Sequence, residues 1–140
     1  MIDLIHLTIP GEPMAKARPR WAKWGIYTPK KTVNYETQIK ERFAAEHPNF
    51  ELLLGPIALT IKAYLGIPKS VSKKKRLLME GEKILPTKRP DADNIIKIVM
   101  DALQGLTFKN DSQLFNICIT KYYSSRPRVE IQLLEVPTSS

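Results

Sequence analysis

The chain has 140 residues, a formal net charge of +8 at neutral pH and 43% hydrophobic residues, which is typical of a single soluble globular domain. It has no run of about 18 apolar residues, and its N-terminus MIDLIHLTIP has no basic n-region, so neither a transmembrane helix nor a secretory signal is expected. The one cysteine, Cys118, excludes an internal disulfide and a multi-cysteine metal site, so a reducing cytoplasm is the expected location.

The first half of the chain predicts two strands and one helix. Apolar and polar residues alternate over 5–9 and over 57–65, which is the period of a half-buried strand. Residues 32–46 carry apolar side chains at helical spacing and end shortly before a proline, which predicts a helix. The segment 10–31 is broken by prolines and is expected to be an ordered loop, with a short strand at 25–28. The residues expected to face the core are Ile5, Leu7, Ile9, Tyr35, Ile39, Phe43, Ile57, Leu59, Ile61, Ala63 and Leu65.

The second half predicts two helices followed by two strands. A basic helix is expected over 72–80 and a second helix, with an apolar stripe, over 91–104. Strands are predicted at 115–119 and 129–133, joined by the turn-like sequence SSRP. Because strands and helices are mixed without a regular βαβ alternation, we expect an α+β fold. Residues 1–140 would form a single domain in which helices cover a mixed β-sheet.

The positive charge is concentrated in two blocks of the sequence. Residues 14–31 hold six basic residues and no acid, and residues 62–89 hold nine basic residues and two acids. Such blocks are typical of phosphate contacts, because neutralising phosphates releases counterions and adds sequence-independent affinity. A solvated surface is the alternative, but two such blocks in a chain that also holds an acidic cluster favour DNA. The candidate DNA-binding residues are Lys16, Arg18, Arg20, Lys30, Lys31, Lys69, Lys73, Lys74, Lys75, Arg76, Lys88 and Arg89.

After the second block lie four aspartates, Asp91, Asp93, Asp101 and Asp111. Clustered carboxylates repel each other and repel a polyanion, and a divalent cation between carboxylates and phosphate resolves that conflict. Magnesium prefers oxygen ligands, so neither histidine nor cysteine is required. Asp93 and Lys97 lie one helical turn apart on a polar stripe. The alternative is structural: aspartates favour helix starts, and Lys97 with Asp101 would form an exposed pair of little energetic value.

The sequence RPDADNIIKIVMDAL, followed by NDSQ, resembles the signature of the RusA-like Holliday junction resolvases. These are small magnesium-dependent endodeoxyribonucleases that phages and prophages often carry. The resemblance extends over roughly 8–135, and the block 89–113 is its most specific part. Matching residues in the N-terminal loop are Pro13, Lys16, Arg18, Pro19, Arg20, Tyr27, Thr28 and Pro29.

The resemblance implies particular roles for the carboxylates and one lysine. Asp91, Asp93 and Asp111 would bind Mg²⁺, for which Mn²⁺ can substitute, and Lys97 would be the catalytic lysine. Asp101 matches a recurrent aspartate, for which a structural role is one alternative. Asn110 is a departure, since some relatives have a second aspartate there, and it lowers the local negative charge.

The family also implies a homodimer acting on branched DNA. A four-way junction is two-fold symmetric and needs two matched nicks, whereas one chain has one set of carboxylates, so a two-fold dimer is the economical arrangement. Two alternatives stay open: a less selective nuclease for branched DNA, and a non-catalytic DNA-binding protein whose aspartates only cap helices. Metal-dependent cleavage separates the enzyme from the binding protein.

Two tryptophans and the cysteine lie outside the motif. Trp21 and Trp24 lie among basic residues, where they would either stack on an unpaired base or anchor the loop on the core. Cys118 lies in a predicted strand and is expected to be a small core residue.

Overall fold

A computed structural model describes residues 3–137, which form one α+β domain. Within this part of the chain, no helix has the length and apolar character needed to cross a membrane. The elements in chain order are β1 (Asp3–Pro10), β2 (Arg20–Ala22), β3 (Gly25–Tyr27), α1 (Lys30–Glu46), β4 (Ile57–Gly66), α2 (Lys73–Glu80), α3 (Ala92–Leu103), a 3₁₀ turn (Asp111–Gln113), β5 (Leu114–Ser124) and β6 (Arg128–Glu135).

The main sheet is mixed, with strand order β1-β6-β4-β5. β6 pairs antiparallel with β1 and with β4, whereas β4 and β5 are parallel. The predicted turn between the last two strands therefore does not make a hairpin. Ser124 of β5 is the neighbour of Gly66, and Arg128 of β6 is the neighbour of Tyr64, so residues 125–127 cross the end of β4. β5 is left as an edge strand, paired only with β4 among the described residues.

Helices cover one face of this sheet. The alternation predicted for 57–65 is present in β4. Leu59, Ile61 and Ala63 are buried, whereas Lys62, between Ile61 and Ala63, is exposed. The opposite face is polar and faces solvent, because it carries Lys62 together with residues such as His6 and Thr8. The buried apolar side chains of α1 and α3 are Tyr35, Ile39 and Phe43 from α1 and Ile95, Ile98, Val99, Ala102 and Leu103 from α3.

One expectation for an individual side chain is wrong. Cys118 is exposed, not buried, because it lies on the edge strand β5 opposite Thr60, which lies on the open face. The short strand predicted at 25–28 is confirmed as β3, and an additional short strand, β2, pairs with it to form a small hairpin. Gly25 begins β3 with a φ of 141°, a conformation that favours glycine at this tight turn.

Candidate active site and DNA-binding surface

Asp91, Asp93 and Lys97 lie together at the start of α3. The buried stripe of α3 faces the sheet, so Asp93 and Lys97, one turn apart, are left on the solvent side of the helix. Asp91 occupies the N-cap position, yet its side chain makes no capping hydrogen bond. None of the three forms an ion pair within residues 3–137. Their charges are therefore available to a ligand and are not used by the fold.

An open cleft of about 910 Å³ lies beside the start of α3. It joins the N-terminal loop to the segment that leads into the helix, so both basic blocks of the sequence contribute to it. The polar residues lining it are Lys16, Arg18, Lys31, Arg89, Asp91 and Asn94. Cationic side chains beside one carboxylate make a surface suited to a phosphate held next to a metal-binding group.

Lys16 connects the N-terminal loop to α1 and α3 at the edge of this cleft. Its Nζ lies 2.7 Å from Glu36 Oε1 and 3.2 Å from Asp101 Oδ2, and its backbone N–H donates to the carbonyl of Asn94 at 2.9 Å. Burial lowers the pKa of Lys16, but the bonds and charges of the two carboxylates outweigh it and raise the pKa above its ordinary value. Lys16 is therefore a cation already compensated by two acids, and Asp101 is one of its two ion-pair partners.

Asp111 lies on the 3₁₀ turn that precedes β5. The turn is capped by Asn110, whose side-chain oxygen accepts from the Ser112 N–H at 3.2 Å, while Gln113 Oε1 accepts from the Asn110 N–H at 2.9 Å. Asn110, the departure from the family pattern, thus stabilises this turn. Asp111 itself is exposed.

The structure does not place Asp111 near the other two aspartates of the same chain. Lys121 Nζ donates to the carbonyl of Lys88 at 2.6 Å, which fixes the entry to α3 at the end of β5. Gln113 Nε2 donates to the carbonyl of Leu53 at 2.7 Å, which fixes the 3₁₀ turn at the start of the parallel pair β4–β5. The 12 residues of α3 between these points span about 18 Å. Accordingly, no three acidic, histidine or cysteine side chains within residues 3–137 are grouped closely enough to hold a metal ion.

The second basic block is carried by α2. Ser72 caps this helix by accepting from the Lys75 N–H at 3.2 Å, and Gly81 ends it, as predicted. Lys69 and the three lysines 73–75 are exposed. Arg76 differs, because its Nη2 donates to the carbonyl of Pro68 at 3.3 Å and so supports the loop before the helix.

The β2–β3 hairpin presents aromatic side chains to solvent among the basic residues of the first block. Trp21 is 81% exposed, Trp24 is 75% exposed and Tyr27 is 36% exposed. The rings of Trp24 and Tyr27 lie 5.5 Å apart. These exposures rule out the alternative that the tryptophans anchor the loop on the core. The one sequence signal for the projecting hairpin was Gly25 between two short aromatic segments.

The fold and the cleft define a small basic α+β protein with uncommitted carboxylates beside a cationic cleft, an arrangement typical of nucleases. Residues 10–134 match the family described as endodeoxyribonuclease RusA, and the chain belongs to this family. It is also similar to the uncharacterized protein YqaN of Bacillus subtilis (strain 168), with 39% identity over 141 residues, covering 96% of this chain and 99% of that protein. The resemblance predicted from the motif at 89–113 is confirmed, and the family indicates an endodeoxyribonuclease acting on branched DNA.

Proposed function

We propose that this protein is a magnesium-dependent endodeoxyribonuclease that, as a homodimer, resolves four-way DNA junctions by paired symmetric nicks. One observation carries the proposal: Asp91, Asp93 and Lys97 are exposed and free of ion pairs at the start of α3, and Asp91 lines a cationic cleft. Helix capping alone does not account for the pattern, because the Asp91 side chain does not cap α3.

The donor set at the start of α3 fits part of a magnesium site. Mg²⁺ keeps several waters and is commonly held by one or two carboxylates together with substrate phosphates. Asp91 and Asp93 would hold the ion, and Mn²⁺ is expected to substitute for it. The bound ion would supply positive charge to the scissile phosphate. Asp111 belongs to the proposed ligand set but does not reach this position within one chain.

Other side chains of this surface position the DNA. Lys97 places a fixed positive charge one turn from Asp93, where negative charge grows as the phosphodiester bond breaks. Arg18, Lys31 and Arg89 line the cleft and would contact backbone phosphates. Lys88 lies 5.7 Å from the centre of the Tyr123 ring, which holds the segment entering α3 against β5.

Cleavage of a labelled synthetic four-way junction tests the proposal. Paired symmetric nicks that require Mg²⁺ or Mn²⁺, and that excess linear duplex does not suppress, are expected. Equal cleavage of flaps and junctions would identify a less selective nuclease instead. Binding without cleavage at any concentration of either metal would leave a non-catalytic DNA-binding protein.

Removing charge from α2 is expected to weaken DNA binding. The double variant Lys74→Gln/Lys75→Gln removes two exposed cations from a helix whose cap depends on Ser72 and is left intact. We expect junction affinity to fall about tenfold at physiological salt, and the slope of log affinity against log salt to become shallower by about 1.8. Fluorescence anisotropy over a salt series measures both quantities.

Lys40→Gln/Arg42→Gln is the matched control, because it removes two cations from α1, the exposed Lys40 and the half-buried Arg42, outside the two basic blocks. Its affinity and salt slope should equal those of the wild type. Equal losses of junction affinity in both double variants would mean that only the net charge of the protein matters. An unchanged salt slope in the α2 variant would mean that α2 does not contact DNA.

The exposed tryptophans are expected to favour branched DNA over duplex. Bases at a branch point are accessible for stacking, which contributes about 1–3 kcal/mol per base. Trp21→Ala and Trp24→Ala should therefore each lower junction affinity about tenfold and leave duplex affinity nearly unchanged. Trp21→Phe keeps an aromatic face and should retain most of the affinity. Equal losses on junction and duplex would contradict stacking at the branch.

A further inference from the structure

Lys97 has a carboxylate one helical turn away on either side. Asp93 precedes it by four residues and Asp101 follows it by four, and all three side chains are exposed on α3. Side chains at this spacing have Cβ atoms about 6 Å apart and can form ion pairs. Among residues 3–137, however, Lys97 forms no ion pair, and Asp101 pairs with Lys16 instead. The exposed pair of Lys97 and Asp101 that the sequence allows is therefore not formed.

Lys16 reaches Asp101 from the N-terminal loop and is held in place before it does so. Its backbone N–H donates to the carbonyl of Asn94 at 2.9 Å, and its Nζ lies 2.7 Å from Glu36 Oε1 on α1. The side chains of Lys16 and Glu36 are only 24% and 14% exposed, so this ammonium group is partly shielded from water. A cation that is already ordered loses less side-chain entropy on pairing than the exposed Lys97 would lose. Asp101 therefore pairs with Lys16, at 3.2 Å, in preference to Lys97.

We propose that Lys16 is a positioning residue for the cleavage reaction, because it occupies Asp101 and thereby leaves the ammonium group of Lys97 free for the scissile phosphate. The inference rests on the proposed function, in which Lys97 is the catalytic lysine. A lysine pairs better with an acid four residues before it than with one four residues after it, so Lys97 then favours the side of Asp93. Without Lys16, the carboxylate of Asp101 would be unpaired and would attract Lys97 away from the start of α3.

Lys16→Met is expected to lower the single-turnover rate of junction cleavage about threefold, because an exposed ion pair of this spacing is weak and would hold Lys97 for about two thirds of the time. The rate is measured at saturating protein, since Lys16 also lines the cleft and its loss can weaken DNA binding. Lys16→Arg keeps a cation that can pair with Glu36 and Asp101, and its rate should stay close to that of the wild type.

Adding Asp101→Asn to Lys16→Met separates positioning from a purely structural role. The second substitution removes the carboxylate that competes for Lys97, so the rate should recover about threefold. In a protein that keeps Lys16, Asp101→Asn should not raise the rate. If the ion pairs of Lys16 only stabilise the fold, Lys16→Met/Asp101→Asn will be no faster than Lys16→Met, and this result would overturn the proposal.

Two further variants control this comparison. Lys16→Met/Glu41→Gln removes an exposed carboxylate of α1 with the same change in net charge, and it should keep the threefold defect. Lys16→Met also leaves the half-buried Glu36 without its partner, which can weaken the fold. Adding Glu36→Gln to both Lys16→Met and Lys16→Met/Asp101→Asn removes that carboxylate, and the same recovery is expected between the two.

Cross-linking decides the inference without relying on cleavage. A zero-length carbodiimide joins a lysine amine to a carboxylate when the two groups are in contact, and mass spectrometry identifies the linked residues. In the wild type we expect Lys16 to be linked to Glu36 and to Asp101, and in Lys16→Met we expect a new link between Lys97 and Asp101. Absence of that link in Lys16→Met, or its presence in the wild type, overturns the proposal. If the links appear as expected and the wild type does not cut junctions, only the proposed function is wrong.

Discussion

Asp93→Asn should reduce the rate of junction cleavage by about 10³-fold, because a neutral amide replaces a carboxylate that would hold the catalytic cation. Junction affinity should stay unchanged or increase, since removing a negative charge beside the cleft lowers its repulsion of phosphate. Single-turnover cleavage in Mg²⁺ measures the rate, and anisotropy in Ca²⁺ or EDTA measures the affinity. Asp93 is exposed and forms no ion pair, so the fold should be preserved.

Glu41→Gln is the matched control for this variant. Glu41 is an exposed helical carboxylate on α1, outside the cleft, and its neutralisation changes the net charge by the same amount. Its cleavage rate should equal that of the wild type. An Asp93→Asn protein that folds, binds the junction and cuts at the wild-type rate would remove Asp93 from the active site.

Lys97→Met is expected to reduce single-turnover cleavage by about 10²-fold, the typical effect of losing one preorganised charge at the reacting centre. Methionine keeps much of the length of the side chain and removes only the ammonium group. Lys97 is exposed on α3 and forms no ion pair among the described residues, so the substitution removes no ion pair from the fold. Lys97→Arg restores the charge and should recover part of the rate, which a purely steric role of the side chain would not produce.

The junction affinity of Lys97→Met distinguishes a catalytic role of Lys97 from a role in DNA binding alone. If Lys97 contacted phosphate only in the ground state, Lys97→Met would weaken binding, and its cleavage at saturating protein would return to the wild-type rate. We expect the rate defect to persist at saturation. Lys40→Met, which removes an exposed lysine from α1, should cleave normally.

Much of the secondary structure could be predicted because its signals are local. The alternation in 5–9 and 57–65 and the helical stripe in 32–46 each follow from one buried face, and the buried residues are those expected. The Asp93 and Lys97 side chains were predicted to share a surface for the same reason, since helix periodicity alone sets their relation. The family was recognised by resemblance, because its most specific motif lies within a single helix and the flanking loop.

The remaining features depend on long-range pairing. No local pattern indicates that the last two strands flank β4 instead of pairing with each other, or that Cys118 lies on an open edge. Similarly, Lys16 finds its partners 20 residues away on α1 and on another helix. The separation of Asp111 from Asp91 depends on the direction in which α3 crosses the sheet, which the sequence does not encode in any short segment.

The bridging position of Lys16 has a mechanical consequence for catalysis. The aromatic hairpin is tethered four residues after Lys16, and the backbone of Lys16 bonds to Asn94, the residue after Asp93. A displacement of the hairpin would therefore reach the start of α3 through this one short connection. The raised pKa of Lys16 keeps its two ion pairs formed below the ordinary lysine value of 10.5, and they are lost only as the pH rises beyond it. The loop that leads to the aromatic hairpin and the helix that carries Asp93 are thus joined through Lys16 at every physiological pH.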